Sequence, residues 1–283
     1  MAATHRRERG RGVRPIHVLI IAVVVVVWAF YLFPLLWLVM MSLKTQVDMF
    51  AVPPLFIFSP TLENYQATFG DPRFLEAARN SLIVTAVSTA ASLVLGALAG
   101  YSLARHPTRF SEQLALGLIV GRMIPPIVFV VPLFLLMNRL GLRNTYLGLI
   151  LVYTAFNLPF VVWMLRSFFE EVPPDLEQAA MIDGASRLRA FWTVTLPLAA
   201  AGFAATAVFV AIAAWSEFLF ALILTGPDTG TLPVHLAAFV SDRAINWGGV
   251  AATGVLVIVP LVTLGLLVQR NLIKGLTMGA MKG

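Results

Sequence analysis

The sequence predicts an all-α, polytopic membrane protein with six transmembrane helices and both termini in the cytoplasm. Of its 283 residues, 59% are apolar and 12% are charged, and the mean hydropathy is +0.86. An average soluble domain has about 25% charged residues, so this chain carries too few charges to coat a water-soluble particle. Six long apolar stretches and an uneven distribution of Lys and Arg complete the prediction. A bilayer is therefore the solvent that suits this surface.

Each predicted span has the length that a bilayer requires. A helix needs about 20 apolar residues to cross a hydrocarbon core of ~30 Å, because each residue rises ~1.5 Å. Arg122 is the only charge in the third stretch and Glu217 the only charge in the fifth; the other four stretches are uncharged. The stretches are 18–43, 80–104, 114–138, 145–165, 196–225 and a helix within 244–269.

The positive charges set the predicted orientation. With the N-terminus in the cytoplasm, 13 of the 20 Lys and Arg residues lie inside and six lie outside, which is the bias expected of cytoplasmic loops. The chain then divides into a basic cytoplasmic tail (1–15), a transmembrane permease domain (16–269) and a cytoplasmic C-terminal tail (270–283). The basic tail suits anionic lipid rather than nucleic acid. We expect the first helix to be retained, because its 26-residue apolar run is too long for a cleaved signal peptide.

The polar segment between the fourth and fifth spans carries the strongest pattern. Pro173 and Pro174 end the preceding helix, and Asp175 is a candidate N-cap for a short helix over 176–182. Gly184 permits a left-handed turn, after which a second amphipathic helix runs from Ala185 to position 197. Shape alone leaves two interpretations open: a helix-turn-helix that inserts into a groove on another protein, or an interfacial helix that lies on lipid.

The spacing within this segment resembles a family signature. Gln178-Ala179-Ala180, three residues, Gly184, nine residues, Val194, one residue and Leu196-Pro197 match the E-A-A-x3-G-x9-I-x-L-P pattern of ATP-binding-cassette importer permeases. Asp183 and the glycine-rich chain end strengthen the likeness to the sugar-importer branch, and the chain is similar to the six-helix second permease of the maltose importer family. Two positions depart from the pattern, because Gln178 replaces the usual Glu and Val194 replaces Ile.

The resemblance implies a role for the segment 175–197 in coupling to an ATPase. The family's Glu is expected to pair with a basic side chain in the ATPase groove. Gln178 keeps a hydrogen bond but loses that ion pair, so either the contact is weaker or the adjacent Glu177 takes its place. A helical offset of ~100° per residue makes this replacement imperfect. The residues assigned to ATPase coupling are Glu177, Gln178, Ala179, Ala180, Asp183, Gly184, Leu196 and Pro197.

The resemblance also implies partners. The chain has no phosphate-binding G-x4-G-K-[ST] motif and no recognisable catalytic frame, so no cofactor is expected in it, and ATP and Mg are expected in a separate ATPase. The implied complex contains a second homologous permease, two ATP-binding subunits and an extracytoplasmic solute-binding protein, in the lipid of the bacterial cytoplasmic (inner) membrane. Its solute would be a sugar or polyol. The short tail beyond residue 270 either reaches the ATPase dimer or is a frayed end.

Polar residues within the spans are candidates for the substrate pathway. A charge in a span costs about 2.5–3.5 kcal/mol on insertion scales and normally faces protein or water. Glu217 either lines the pathway, with the Trp215 ring as a stacking face for a sugar, or pairs with another helix, for example through Arg122. The candidate pathway residues are Arg122, Asn157, Trp215, Ser216 and Glu217.

Two other function classes compete with an importer permease. A stand-alone secondary carrier or channel would favour inverted internal repeats, and the two halves show no clear self-similarity. A membrane-embedded enzyme would need a catalytic constellation. With no cysteine and four scattered histidines, no metal site is predicted.

Overall fold

The computed structural model describes residues 15–239 and 245–280. The predicted tail at 1–15 lies outside the described residues except for its last residue, and the last three residues of the predicted C-terminal tail also lie outside. Every regular element in the described ranges is a helix, which confirms the all-α class. The first half contains α1 (Pro15–Ser42), α2 (Gln46–Met49), α3 (Glu63–Gly70), α4 (Pro72–Arg105), α5 (Ser111–Met123), a 3-10 turn (Pro126–Phe129), α6 (Val130–Arg139) and α7 (Tyr146–Glu171). The second half contains α8 (Pro174–Ile182), α9 (Arg187–Ala190), a π-helical turn (Phe191–Thr195), α10 (Leu196–Leu198), α11 (Ala200–Trp215), α12 (Leu219–Leu224), α13 (Leu232–Ala237) and α14 (Trp247–Ala280).

Four of these helices, α1, α4, α7 and α14, are long and apolar enough to cross a membrane. Two bent pairs meet the same criterion as units. Ser111–Met123 and Pro126–Arg139 meet at 88°, and Arg187–Leu198 and Ala200–Trp215 meet at 80°. The described chain therefore carries four to six spans, depending on whether each bent pair crosses the membrane as one unit.

The predicted third span, 114–138, is not one continuous helix. Ile124 and Pro125 adopt extended ψ angles of 124° and 131°, and the chain then re-enters a short 3-10 turn. Proline has no N–H to donate and disfavours the helical conformation of the residue before it. Two consecutive prolines therefore end α5 and turn the chain into α6.

The predicted fifth span, 196–225, also differs from a single helix. α11 begins only at Ala200, after a bend at Ala199, and ends at Trp215. Ser216 leaves the helical conformation, and α12 resumes at Leu219. The apolar composition that predicted one long helix gave no indication of either break.

The centre of the bundle is the contact between α4 and α7. A methyl group at Gly96 would overlap the Val161 side chain, and one at Gly100 would lie 3.0 Å from the carbonyl oxygen of Val162. The Gly96-x3-Gly100 spacing therefore places two small residues where the backbones of α4 and α7 approach closely, as in other closely packed pairs of membrane helices. Phe169 of α7 is completely buried nearby. By contrast, α1 has almost no buried side chains and contacts α14 near Gly254.

The segment between α1 and α3 is ordered by one buried cation. Lys44 is 2% exposed, and its Nζ donates to the carbonyl oxygen of Leu55 at 2.5 Å. The ammonium also lies 5.6 Å from the Trp37 ring centroid and 5.0 Å from that of Phe58, within the range of cation–π attraction. These contacts tie the segment to the end of α1.

A methyl group at Gly96 should weaken the α4–α7 contact. We expect Gly96→Ala to lower the free energy of unfolding by about 1–3 kcal/mol, the usual cost of overpacking. The matched control is Gly265→Ala in α14, where the added methyl meets open space and helix propensity favours Ala by up to about 1 kcal/mol. Unfolding of both purified variants in mixed micelles by titration with sodium dodecyl sulfate measures the difference. Equal stabilities would contradict the packing role.

Candidate functional site

The predicted helix-turn-helix at 175–197 is present. α8 is followed by Gly184, whose φ of +92° lies in the left-handed region that only glycine adopts without strain. Ser186 then caps the next helix, because its hydroxyl accepts a hydrogen bond from the Arg189 N–H at 3.3 Å. Two details of the prediction are wrong. Pro173, not Asp175, occupies the N-cap position of α8, and the second helix begins at Arg187 rather than at Ala185.

The two faces of α8 have opposite environments. Gln178, Ala179, Asp183 and Gly184 are exposed, and Ala180 is half-buried. Ile182 is 86% exposed, although it is apolar and lies outside the candidate spans. In the following arm, Leu196 is half-buried and Pro197 is exposed. On α8, Gln178 and Ala179 are therefore exposed together with the apolar Ile182, and this set is the outward face of α8.

Glu177 points the other way, into the protein. Its side chain is 7% exposed and forms an ion pair with Arg105 at the end of α4, with 2.6 Å between Nε and Oε1. The Tyr101 hydroxyl donates to Oε2 at 2.7 Å, and the Thr195 hydroxyl donates to Oε1 at 2.5 Å. Arg105 also donates through Nη2 to the carbonyl oxygen of Val172 at 2.9 Å. One carboxylate thus connects α8 with α4 and with the π-helical turn.

These contacts keep Glu177 ionised. Burial alone would raise the pKa of its carboxyl. The hydrogen bonds from Thr195, Tyr101 and Arg105, together with the positive charge of Arg105, outweigh burial, and the pKa lies below its ordinary value of 4.5. The proposal that Glu177 replaces Gln178 in a partner's groove is therefore wrong, because its carboxylate is buried and already paired.

Sequence reasoning did not identify Tyr101, Arg105 and Thr195 as partners of this segment. The available signal was weak: Arg105 is the first charge after the uncharged stretch 80–104, and Tyr101 lies one helical turn before it. The position of the Thr195 hydroxyl beside Glu177 depends on the π-helical turn, which no sequence pattern indicated. Such turns insert one extra residue per turn and recur at functional positions.

A second candidate site is a cavity of about 650 Å³ between α5, α7, α11 and the start of α12. It brings together three of the five predicted pathway residues, Arg122, Asn157 and Glu217. The Asn157 amide donates to the Tyr153 carbonyl oxygen at 2.9 Å. Sequence reasoning missed the aromatic walls, which include the rings of Phe129, Tyr153, Phe156 and Phe220.

Arg122 and Glu217 do not pair with each other within the described residues. The Arg122 guanidinium lies 4.9 Å from the centroid of the Phe160 ring. The Glu217 carboxylate accepts hydrogen bonds from the backbone N–H groups of Phe220 at 2.9 Å and Ala221 at 3.1 Å. It therefore caps the first turn of α12 and satisfies donors that a broken helix leaves open. The suggested Arg122–Glu217 ion pair is wrong for this structure.

Trp215 and Ser216 do not line this cavity. Trp215 is 8% exposed and packs among Phe74, Ala77 and Leu232, and its indole N–H donates to the Val257 carbonyl oxygen at 3.1 Å. The Ser216 hydroxyl donates back to the Ile212 carbonyl oxygen at 2.6 Å. Trp215 is therefore a packing residue between helices, and its ring is not available to stack on a solute here. Across the described ranges, no group of three or more His, Cys, Asp or Glu side chains could hold a metal ion.

Comparison with known proteins shows which family and which relatives this chain resembles. Residues 92–278 match the family described as "Binding-protein-dependent transport system inner membrane component". The chain is 42% identical over 252 residues to the probable ABC transporter permease protein y4oR of Sinorhizobium fredii, covering 89% of this chain and 91% of the relative. It is 38% identical over 262 residues to the trehalose/maltose transport system permease protein MalG of Thermococcus litoralis, covering 89% of this chain and 92% of the relative.

Solved structures share the fold. A chain of a bacterial ABC transporter involved in the import of the acidic polysaccharide alginate superposes with a TM-score of 0.77 at 22% identity, covering 93% of this chain and 98% of that one. A bacterial alginate ABC transporter in complex with a periplasmic protein that holds an alginate pentasaccharide gives a TM-score of 0.66 at 15% identity, covering 89% and 92%.

The low pKa of Glu177 predicts an acid-dependent loss of stability. A carboxyl whose pKa is lowered on folding stabilises the protein above its unfolded pKa, and this contribution is lost as the pH falls through the folded pKa. We expect Glu177→Gln to cost about 1.5–3 kcal/mol at pH 7, the range for hydrogen bonds to a charged group. The difference from the wild type should shrink below a pH of about 4.5. Thermal unfolding of both proteins between pH 7 and pH 3 measures it, and a difference independent of pH would refute the assignment.

Proposed function

The chain belongs to the family of binding-protein-dependent transport system inner membrane components, and from this premise we propose that it is the translocation-pathway subunit of an ATP-driven importer for a carbohydrate, polyol or related polar solute. The observation that carries the proposal is the exposed face of α8 on a helix-turn-helix that a buried carboxylate holds against the bundle. One relative is a trehalose/maltose transport permease, and one structural neighbour belongs to a transporter involved in alginate import. These solutes are all carbohydrates, which supports this solute class.

The outward face of α8 is the proposed contact with an ATPase subunit at the cytoplasmic side. Ile182 and Ala179 offer an apolar, low-relief surface, and Gln178 offers an amide to the partner. Gln178 carries no charge and cannot form an ion pair with the ATPase. We therefore expect the packing of Ile182 against the ATPase to contribute more to docking than the contact of Gln178 does. The ATP and Mg that drive transport belong to the ATPase, which supplies the hydrolysis.

The assembly that this function requires has four further chains. They are a second homologous permease, two ATP-binding subunits and an extracytoplasmic solute-binding protein. One structural neighbour was solved in complex with a periplasmic protein, which supports the last of these. The excess of positive charges on the side of residues 1–15 supports cytoplasmic termini. The match to a family of inner membrane components and to a relative from Sinorhizobium fredii supports a bacterial cytoplasmic membrane.

The cavity is the proposed solute pathway through this subunit. Its volume of about 650 Å³ lies within the usual range of small-molecule sites, about 300–1,000 Å³. Arg122 and Asn157 can present donors to sugar hydroxyls, and the rings of Tyr153 and Phe156 can lie against the apolar faces of a sugar. The turn at Ile124 and Pro125 forms one wall, so a change of its angle would alter access to the cavity.

Co-purification and uptake test the function as a whole. Expression with its candidate ATPase and second permease should yield one complex that takes up solute into proteoliposomes when ATP and the binding protein are present. An ATPase whose phosphate-binding Lys is replaced should abolish uptake. A stand-alone carrier or channel would continue to take up solute without the ATPase, and that outcome would overturn the proposal.

A charge on the outward face of α8 should prevent ATPase docking. We expect Ile182→Glu to reduce the ATPase recovered with the purified permease about tenfold, because a carboxylate then replaces an apolar contact at the interface. The matched control is Ile57→Glu, since Ile57 is 94% exposed in the segment between α2 and α3. Quantitative immunoblotting of both complexes reads out the result. Equal recovery from both variants would contradict docking through α8.

A bulky side chain in the cavity should block solute movement without preventing assembly. Gly121 lines the cavity, and a side chain added there meets open space. We expect Gly121→Phe to reduce uptake at least about tenfold, because the added ring occupies part of the pathway. Gly265→Phe, at an equally open helical position in α14, serves as the control. Uptake by proteoliposomes with equal amounts of complex compares them, and unchanged uptake by Gly121→Phe would exclude this cavity as the route.

A further inference from the structure

We propose that Glu177 is a positioning residue whose buried carboxylate pins the helix-turn-helix to the α4–α7 pair, so that the two move as one rigid body during transport. This inference rests on the proposed function. It differs from docking, because Glu177 faces away from the surface that would contact an ATPase.

Three separate elements meet at the Glu177 carboxylate. Oε1 accepts from Arg105 Nε at 2.6 Å and from Thr195 Oγ1 at 2.5 Å, and Oε2 accepts from Tyr101 Oη at 2.7 Å. These donors come from α4 and from the π-helical turn, whereas Glu177 itself belongs to α8. Both arms of the helix-turn-helix are therefore fixed to the same end of α4.

Arg105 extends this connection to α7. Its Nη2 donates to the carbonyl oxygen of Val172 at 2.9 Å, just after the last residue of α7. α7 already contacts α4 closely at Gly96 and Gly100, because these two residues have no side chain that would hold the helices apart. A displacement of α8 therefore reaches both long helices without crossing a flexible joint.

The aromatic rings around the carboxylate make the junction stiff. Tyr101 lies 4.7 Å from Phe191 and 6.1 Å from Phe169, measured between ring centroids. Phe169 and Phe191 are almost completely buried. Tyr101, which donates to the Glu177 carboxylate, is therefore held in place by buried rings, and close-packed interiors transmit displacement rather than absorb it.

The chemistry of the pair favours a positional role over a stabilising one. A buried ion pair is weak evidence for stability, since desolvation offsets much of the Coulomb attraction, and apolar side chains of similar size often stabilise as well or better. Three directional hydrogen bonds to one carboxylate instead fix the orientation of the Glu177 side chain. A second contact supports this role: Arg187 of α9 lies 3.0 Å from His106, the residue that follows α4, between Nη1 and Nε2.

The pin is expected to persist throughout transport, whichever side of the membrane the cavity opens to. All the donors that reach Glu177 lie on the elements proposed to move together, so rocking of the bundle leaves their relative positions unchanged. A latch would instead pair Arg105 with a carboxylate on an element outside this body, whereas within the described residues Arg105 pairs with Glu177.

The first experiment measures coupling. The complex with Glu177→Gln is reconstituted with its ATPases and binding protein, and both solute uptake and ATP hydrolysis are measured. We expect ATPase recovery and hydrolysis within about twofold of the wild type, and solute transported per ATP reduced about tenfold, the scale of substitutions along a coupled network. Arg166→Gln is the matched control, because it breaks an ion pair with Glu170 in α7 that is more exposed, at 20% and 45%. An unchanged transport ratio for Glu177→Gln would overturn the inference.

The second experiment measures the rigid body directly and does not require the variant to assemble. The chain contains no cysteine, so spin labels at Ser102→Cys in α4 and Asp175→Cys in α8 report one distance without background. We expect the same narrow distance distribution in the nucleotide-free complex and in the ATP-bound complex of a hydrolysis-deficient ATPase. A change of about 5 Å or more, the pitch of one helical turn, would overturn the pin. A wild-type complex that shows no ATP-dependent uptake would instead overturn the proposed function.

Discussion

The connection between the helix-turn-helix and the bundle depends on one buried carboxylate. Glu177 has three side-chain donors within 2.7 Å, and the positive charge of Arg105 compensates it. Burial of the Glu177 carboxylate without these donors would cost much free energy. The presence of Glu177 at this position therefore requires the donors from Arg105, Tyr101 and Thr195. The π-helical turn is part of this constraint, because it carries Thr195 to the carboxylate. The outward face of α8 can then vary, since it takes no part in holding the helix in place.

The bundle itself combines close contacts with interruptions. Where α4 meets α7, glycines bring the backbones so close together that an added methyl group would overlap Val161 or approach the Val162 carbonyl oxygen to 3.0 Å. Between α5 and α6, two prolines turn the chain through 88°, and this turn forms one wall of the cavity. α7 belongs to both parts, because it packs against α4 at Gly96 and Gly100 and also lines the cavity. The helix assigned to the rigid body is therefore in direct contact with the proposed solute pathway.

The sequence predicted much of this arrangement, and its failures have physical causes. Length and hydropathy located the long helices, and the spacing around Gly184 located the helix-turn-helix, because both depend on local patterns. The sequence did not distinguish Glu177 from Gln178, since burial depends on which face of α8 meets α4. The Trp215 ring was considered as a stacking face for a sugar, but its indole N–H donates a hydrogen bond to the Val257 carbonyl oxygen in α14. Arg122 and Glu217 were considered as a pair because both are charges in apolar stretches, yet a backbone break supplied a closer partner for Glu217.

The way Glu217 caps α12 also restricts what the fifth apolar stretch can become. If residues 215–220 were to wind into a continuous helix, the amide groups that now face the carboxylate would turn to main-chain oxygens one turn earlier. The Glu217 carboxylate would then lose both backbone donors and would need other hydrogen-bond partners. The Glu217 carboxylate thus stabilises the break between α11 and α12. Straightening of this segment would require a cation or water molecules to replace the two backbone donors.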